Sequence, residues 1–292
     1  MGLLKVWIEA MRVRTLPVSV SGVLCAFAYA VMSDVRAWLP GLLCLLFAML
    51  AQISSNFANE YYDYKRGIDR VGRDGPRRGV TEGDIKPSVM KMATYVVLAL
   101  ACAVGCSLIY WGGLWLVCVG MFIAVGVLAY STGPYPLSHH GLGEVAVVFF
   151  FGIVPVNMTY YIMCGCVEMP VFVASVAIGL MGANVLIVNN YRDYEDDKAV
   201  GKRTLCVILG RNAMLWLYLI NGVVAVALMY ATWLKFDTVV LLIPTIYMTV
   251  HLVLVKLLKE KSGDKLNPLL GITAMLMFLY TVGLLCVSII NS

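Results

Sequence analysis

The chain has 292 residues, of which 61% are hydrophobic and only 13% charged, against about 25% charged in an average soluble domain. A soluble fold of this length could not hide that much apolar surface, so the composition excludes an ordinary soluble enzyme and points to an integral membrane protein. The net charge is only +5; nothing in it calls for nucleic acid, and the lipid bilayer is the expected surrounding.

In chain order, residues 2–11 (GLLKVWIEAM) alternate apolar and polar like an amphipathic helix. Lys5, Arg12 and Arg14 ahead of an apolar run, with AYA at 28–30, imitate a cleaved signal peptide. The length of this segment and the presence of Glu9 favour instead a retained helix in the membrane interface that leads into a first span. Apolar stretches then predict nine spans near 16–32, 38–57, 89–110, 114–130, 145–164, 170–189, 213–233, 238–258 and 267–290. The predicted fold class is therefore an all-α membrane bundle of about nine helices. No soluble domain interrupts it, so residues 1–292 are expected to form a single domain.

Charge orients this bundle. The N-terminal segment, the connections after the second, fourth, sixth and eighth spans and the span ends bordering them hold 20 of the 22 Lys and Arg residues, leaving only Arg36 and Lys235 on the other side. By the positive-inside rule the N-terminus is cytoplasmic and the C-terminus outside. Acids follow the same bias, 14 of 17, although acids contribute little to orientation. Their excess sits after the second and sixth spans.

The first excess is the stretch NFANEYYDYKRGID, residues 56–69. At 100° per residue, Asn56, Asn59, Glu60 and Asp63 fall within an arc of about 100° on one helical face. Gly67 is expected to end the helix, leaving Asp69 in the loop and free to turn back. The second is NNYRDYEDDKAVGKRTL, residues 189–205, where Asn189, Asp193, Asp196 and Asp197 again share one helical face. Two carboxylate faces at one membrane surface repel unless a cation lies between them. Oxygen-only donors suit Mg²⁺, which keeps waters and takes further ligands from substrate phosphates. The neighbouring Lys65, Arg66, Arg77, Arg78, Lys202 and Arg203 suit such phosphates directly. These residue types describe a diphosphate–magnesium site at the cytoplasmic rim of a helical bundle.

The two stretches resemble the paired aspartate-rich motifs of the UbiA superfamily of intramembrane prenyltransferases, and most closely those of its 1,4-dihydroxy-2-naphthoate polyprenyltransferase type. MRVRTLPVSVSGV at the first span, DGPRRGVTEGDI and YSTGPYPLSHHGLGE extend the likeness over most of residues 10–210. One departure is Glu60, where the superfamily commonly has Asp. The resemblance implies a nine-helix bundle in a bacterial inner membrane. It also implies Mg²⁺ and a polyprenyl diphosphate donor, with 1,4-dihydroxy-2-naphthoate as acceptor and demethylmenaquinone and CO₂ as products. Carried over by residue, Asn56, Asn59, Glu60, Asp63, Asp69, Asn189, Asp193, Asp196 and Asp197 would hold the metal. Asp63, Asp193, Asp197, Asn59 and Lys202 would carry catalysis, and Lys65, Arg66, Arg77, Lys202 and Arg203 would face the donor diphosphate. Another quinone-precursor acceptor, such as 4-hydroxybenzoate, is the nearest alternative.

A cation-coupled transporter is the competing class, since intramembrane acids also mark ion pathways. Such acids usually lie near the midplane beside broken helices, whereas these lie at one rim with basic companions. Other features are less directive. Tyr61, Tyr62, Tyr64, Tyr191 and Tyr194 fit either interfacial anchoring or stabilisation of an allylic cation. Asn157 and Asn184, deep in spans, fit either function or helix pairing. Arg14 fits snorkelling better than contact with an acceptor carboxylate, and His139 and His140 sit in a Gly/Pro-rich loop. The nine cysteines read as small hydrophobes, because no paired CxxC motifs are present.

Overall fold

A computed structural model of the chain describes residues 2–72, 75, 77–233 and 241–291. The predicted start of the eighth span at 238–240 lies outside the described residues, as do Lys235, Asp74 and Pro76. The architecture is helical throughout: α1 Leu3–Ala10, α2 Leu16–Met32, α3 Trp38–Lys65, α4 Pro87–Gly112, α5 Leu116–Ala129, α6 Gly143–Cys164, α7 Met169–Arg192, α8 Tyr194–Ala199, α9 Leu205–Leu209, α10 Arg211–Trp233, α11 Leu242–Glu260 and α12 Asn267–Ile290. Among the described residues the only β pairing is an isolated parallel bridge between His140 and Arg203. Several spans start where the sequence supplies Pro in the first turn: Pro17 in α2, Pro87 in α4, Pro170 in α7 and Pro268 in α12. Pro is pre-organised for that position and gives up an N–H that has no helical partner there.

Among the described residues eight helices, with the α1–α2 segment counted as one, are long and apolar enough to cross a membrane. The chain is thus a multi-pass integral membrane protein. The predicted span at 114–130 is the exception. Its helix α5 has only 14 residues, roughly 21 Å at 1.5 Å per residue, against a hydrocarbon core of about 30 Å.

Helix α2 lies at the centre, packed against α3, α6, α7 and α12, while α7 also packs on α10 and α12. The crossing of α6 and α7 uses small residues. A Cβ on Gly152 would lie 2.4 Å from the Gly179 Cα, so the two backbones touch where α6 takes a π-helical turn. Asn157 serves this crossing, and Asn184 the packing of α7 on α10. Asn157 Nδ2 donates to Ser175 Oγ at 2.9 Å, and Asn184 Nδ2 donates to the Tyr218 carbonyl at 3.1 Å. Both therefore join helices.

Helix α3 runs on past the predicted end of its span, keeping the first motif helical to Lys65. Gly67 then takes the left-handed conformation with φ +68°, and the Ile68 N–H reaches back to the Asp63 carbonyl at 3.0 Å. The amphipathic helix α1 docks over this end, burying Val6 and Ala10 against Phe57, Val80, Ile85 and Met90. Its outer side leaves Leu3, Leu4 and Ile8 exposed. The turn into α2 passes through Arg12, a non-glycine residue held at φ +53°. A conformation of this kind costs on the order of 1–3 kcal/mol, and it turns the chain so that the Arg12 side chain faces the bundle.

Candidate active site

The last turns of α3 bury Asn56, Asn59, Glu60 and Asp63 together. Helix C-termini carry partial negative charge, so acids here need cations close by. Asn56 Nδ2 donates to the Met11 carbonyl at 2.9 Å, which ties α3 to the α1–α2 turn. Asn59 Oδ1 accepts from the Arg12 guanidinium, and its Nδ2 donates to Asp63 Oδ2 at 3.1 Å. Asp63 Oδ1 lies 3.2 Å from His139 Nε2. Glu60 faces elsewhere: its Oε1 accepts the Val80 backbone N–H at 3.0 Å. The extra methylene lets it pin the loop that follows α3. Asp69 does turn back, and is buried with Arg78 Nε 3.5 Å from its Oδ2.

The second motif closes against the first. A helical break at Asp193 (φ −83°, ψ 6°) separates α7 from α8. The ladder still carries across it, since the Asp193 N–H bonds the Asn189 carbonyl at 3.0 Å and the Asp197 N–H bonds that of Asp193 at 2.8 Å. Asn189, Asp193 and Asp197 therefore stay in one column, and Asp196 beside them is half-buried. Arg192 holds Asp193 in a two-pronged grip, with Nε to Oδ1 at 2.6 Å and Nη2 to Oδ2 at 2.9 Å. It also donates to Asn189 Oδ1 and Asn267 Oδ1, each at 2.9 Å. Lys202 then bridges the motifs, its Nζ 3.5 Å from Asp197 Oδ1 and 4.0 Å from Asp63 Oδ2. The backbone pairing of His140 with Arg203 keeps the loops carrying His139 and Lys202 side by side.

These residues surround a polar cavity of about 140 Å³ whose walls include Arg12, Asn56, Asn59, Arg78, Asn189, Asp193 and Lys202. It adjoins an apolar groove of about 270 Å³ between α2, α3, α4, α5 and α6. Gln52, Ser55, Tyr130, Val147 and Phe151 line both spaces and mark the junction.

Of the cations expected near a diphosphate, Lys202 and Arg78 line the cavity. Lys65 and Arg203 are exposed. Arg66 is spent on the Ser131 carbonyl at 2.6 Å, and Arg77 on Asp84 at 2.7 Å. The structure adds Arg12 to the cavity wall. Arg14 is exposed. The five motif tyrosines line neither space. The Arg211 guanidinium lies over the Tyr191 and Tyr194 rings at 5.5 and 4.9 Å, and the Tyr62 hydroxyl meets that of Tyr95 at 3.0 Å. Sequence reasoning did not single out Arg12, Tyr130, Glu144 or Arg192. The signal for Tyr130 and Glu144 was their place inside the YSTGPYPLSHHGLGE stretch; that for Arg192 was its position directly before Asp193. Cys206 beside the second motif is fully buried, and burial pushes its thiol up to about 12, so it packs as a small hydrophobe.

Among the described residues no three His, Cys, Asp or Glu side chains converge as a ready-made metal cage. The donor set facing the cavity, Asn56, Asn59, Asn189 and Asp193, is nonetheless oxygen-bearing and contains no His or Cys. Such a set fits a hard cation that retains waters and completes its shell with phosphate oxygens.

Comparison with known proteins agrees with this geometry. Residues 19–287 match the UbiA prenyltransferase family. The 1,4-dihydroxy-2-naphthoate octaprenyltransferase of Haemophilus influenzae is 34% identical over 215 residues, covering 71% of this chain and 70% of that protein. The enzyme of the same name from Mycobacterium tuberculosis is 35% identical over 230 residues, covering 77% and 78%. Among solved structures, a UbiA homolog from Archaeoglobus fulgidus bound to DMAPP and Mg²⁺ superposes with a TM-score of 0.68 at 16% identity, over 96% of this chain and 99% of that one, and so shares the fold. With its two motifs joined at one cavity and this match along nearly its whole length, the chain belongs to the UbiA prenyltransferase family.

Proposed function

We propose that the protein transfers a polyprenyl group from a polyprenyl diphosphate to 1,4-dihydroxy-2-naphthoate, with loss of CO₂, as the prenylation step of menaquinone biosynthesis. The observation that carries this reading is Lys202 standing between Asp63 and Asp197, at a polar cavity that continues into an apolar groove. A diphosphate needs the first space and an isoprenoid chain the second. The naphthoate acceptor follows from the relatives named above, to which this chain is more than 30% identical over most of their length.

In this reading Lys202, Arg78 and Arg12 face the diphosphate and offset the charge that grows on it as the allylic C–O bond lengthens. Asn59, Asp63, Asn189, Asp193 and Asp197 would hold Mg²⁺, which would supply Lewis-acid neutralisation of the same leaving group. Asp69 stands behind Arg78, and Arg192 fixes Asp193. The groove excludes water from the allylic cation. The acceptor ring lies at the junction, its carboxyl-bearing carbon toward C1 of the donor. That carbon bonds to C1, the carboxylate departs as CO₂, and the product is the prenylated naphthoquinol. In the bilayer α5 counts as a ninth, short span. The basic connections face the cytoplasm, and the membrane is a bacterial inner membrane.

The test is an acceptor assay on membranes carrying the protein. Carboxyl-labelled dihydroxynaphthoate should release CO₂ only when a prenyl diphosphate is supplied. Prenylation of 4-hydroxybenzoate in its place would transfer the protein to a different acceptor class.

A further inference from the structure

Glu144 lies in the first turn of α6 and belongs to neither aspartate-rich motif. It is 5% exposed, yet it lines the polar cavity. Its Oε1 accepts from Asn190 Nδ2 at 2.8 Å. Its Oε2 is buried and has no hydrogen-bond partner among the described residues. A buried carboxylate oxygen left without a partner is costly, so a group kept this way invites a donor from the cavity. Its surroundings say where that donor would sit. Glu144 is one helical turn before Val147, which lies at the junction with the groove, and the Tyr130 hydroxyl lies 3.7 Å from where a Cβ on neighbouring Gly143 would be. The oxygen therefore belongs to the level between diphosphate and tail, where the acceptor ring must meet C1 of the donor.

We propose that Glu144 is the general base for the acceptor, held in place by Asn190. This rests on the function proposed above. The hydroxyl next to the carboxyl-bearing ring carbon gives its proton to Glu144 Oε2. The electron pair released moves through the ring, so that the carboxyl-bearing carbon bonds to C1 as the C1–O bond to diphosphate breaks. The intermediate is a β-keto carboxylate. Its C–COO⁻ bond then breaks, CO₂ leaves, and the electron pair returns to the ketone oxygen as an enolate. The enolate takes the proton back from Glu144, so the carboxylate is regenerated and no other acid, base or oxidant is required.

Glu144→Gln keeps the shape and an oxygen for Asn190 but cannot take the proton. In membranes its turnover with dihydroxynaphthoate should fall by about 10²–10⁴-fold, the usual range for a positioned acid–base group, with the donor KM unchanged. A ring-fluorinated acceptor with a more acidic hydroxyl depends less on a base, so the ratio of wild-type to variant turnover should shrink with it. Turnover of the variant near the wild-type rate overturns the proposal. So does an equal loss with both acceptors, which is what a purely structural role at the helix start would produce. If Glu144→Gln fails to bind a donor analogue, Asn190→Ala decides. Lower turnover with the same relief by the acidic acceptor supports the base, and unchanged turnover rejects it. A wild type inactive on dihydroxynaphthoate would instead overturn the functional reading.

Discussion

Asp63 in α3 and Asp197 in α8 share one ammonium, that of Lys202, at 4.0 and 3.5 Å. Two helix ends that would otherwise repel are thereby brought together at a single cavity. The same arrangement gathers acids, amides and cations from both motifs around that cavity.

Asp63→Ala and Asp193→Ala should each lower prenyl transfer by roughly 10²-fold or more, on the scale of losing one electrostatic stabiliser. Steady-state turnover with saturating donor reads this directly. Near-normal rates in either variant would remove that residue from the site.

Stripping the membranes with a chelator should abolish transfer, and added Mg²⁺ should restore it. An oxygen-only donor set binds metal through few protein ligands, so the ion should exchange readily. Transfer that persists after chelation would exclude the metal.

Arg192→Ala should destabilise the protein by about 3–5 kcal/mol, because it removes the two-pronged guanidinium contact from the buried Asp193 carboxylate. Arg192→Lys should recover only part of this, since a single ammonium cannot reproduce the planar two-pronged contact. Thermal unfolding in detergent measures both. A variant as stable as wild type would show that the pair contributes little.

Glu60→Asp should lower stability by about 1–3 kcal/mol, because the shorter arm leaves the Val80 N–H unmet. The Mg²⁺ concentration giving half-maximal activity should stay where it is in the wild type. A marked shift in that concentration would place Glu60 on the metal instead of on the loop.

Much of the site was legible in local spacing. Asn59 and Asp63 are one turn apart, and so are Asn189, Asp193 and Asp197, because helical geometry alone stacks such residues. Gly67 announced the end of α3, because it reaches a left-handed conformation without the Cβ penalty. Asp196 shows the limit of this reasoning: spacing puts it on the same face, yet it is only half-buried where Asp193 and Asp197 are buried.

The sequence by itself determined the membrane class, the approximate positions of most spans and the identity of the two motifs, since each depends on runs of residues whose chemistry and period are local. Only the tertiary structure decided which cations line the cavity. Arg77 and Arg78 are adjacent, yet one pairs with Asp84 at the surface while the other is buried beside Asp69. Arg12 enters through a left-handed turn that no local preference favours, and Glu144 meets Asn190 from a different helix. The physical reason is common to all of them. A charged side chain is stabilised by its partners, and in this bundle the partners come from segments far apart in the chain, which only packing brings together.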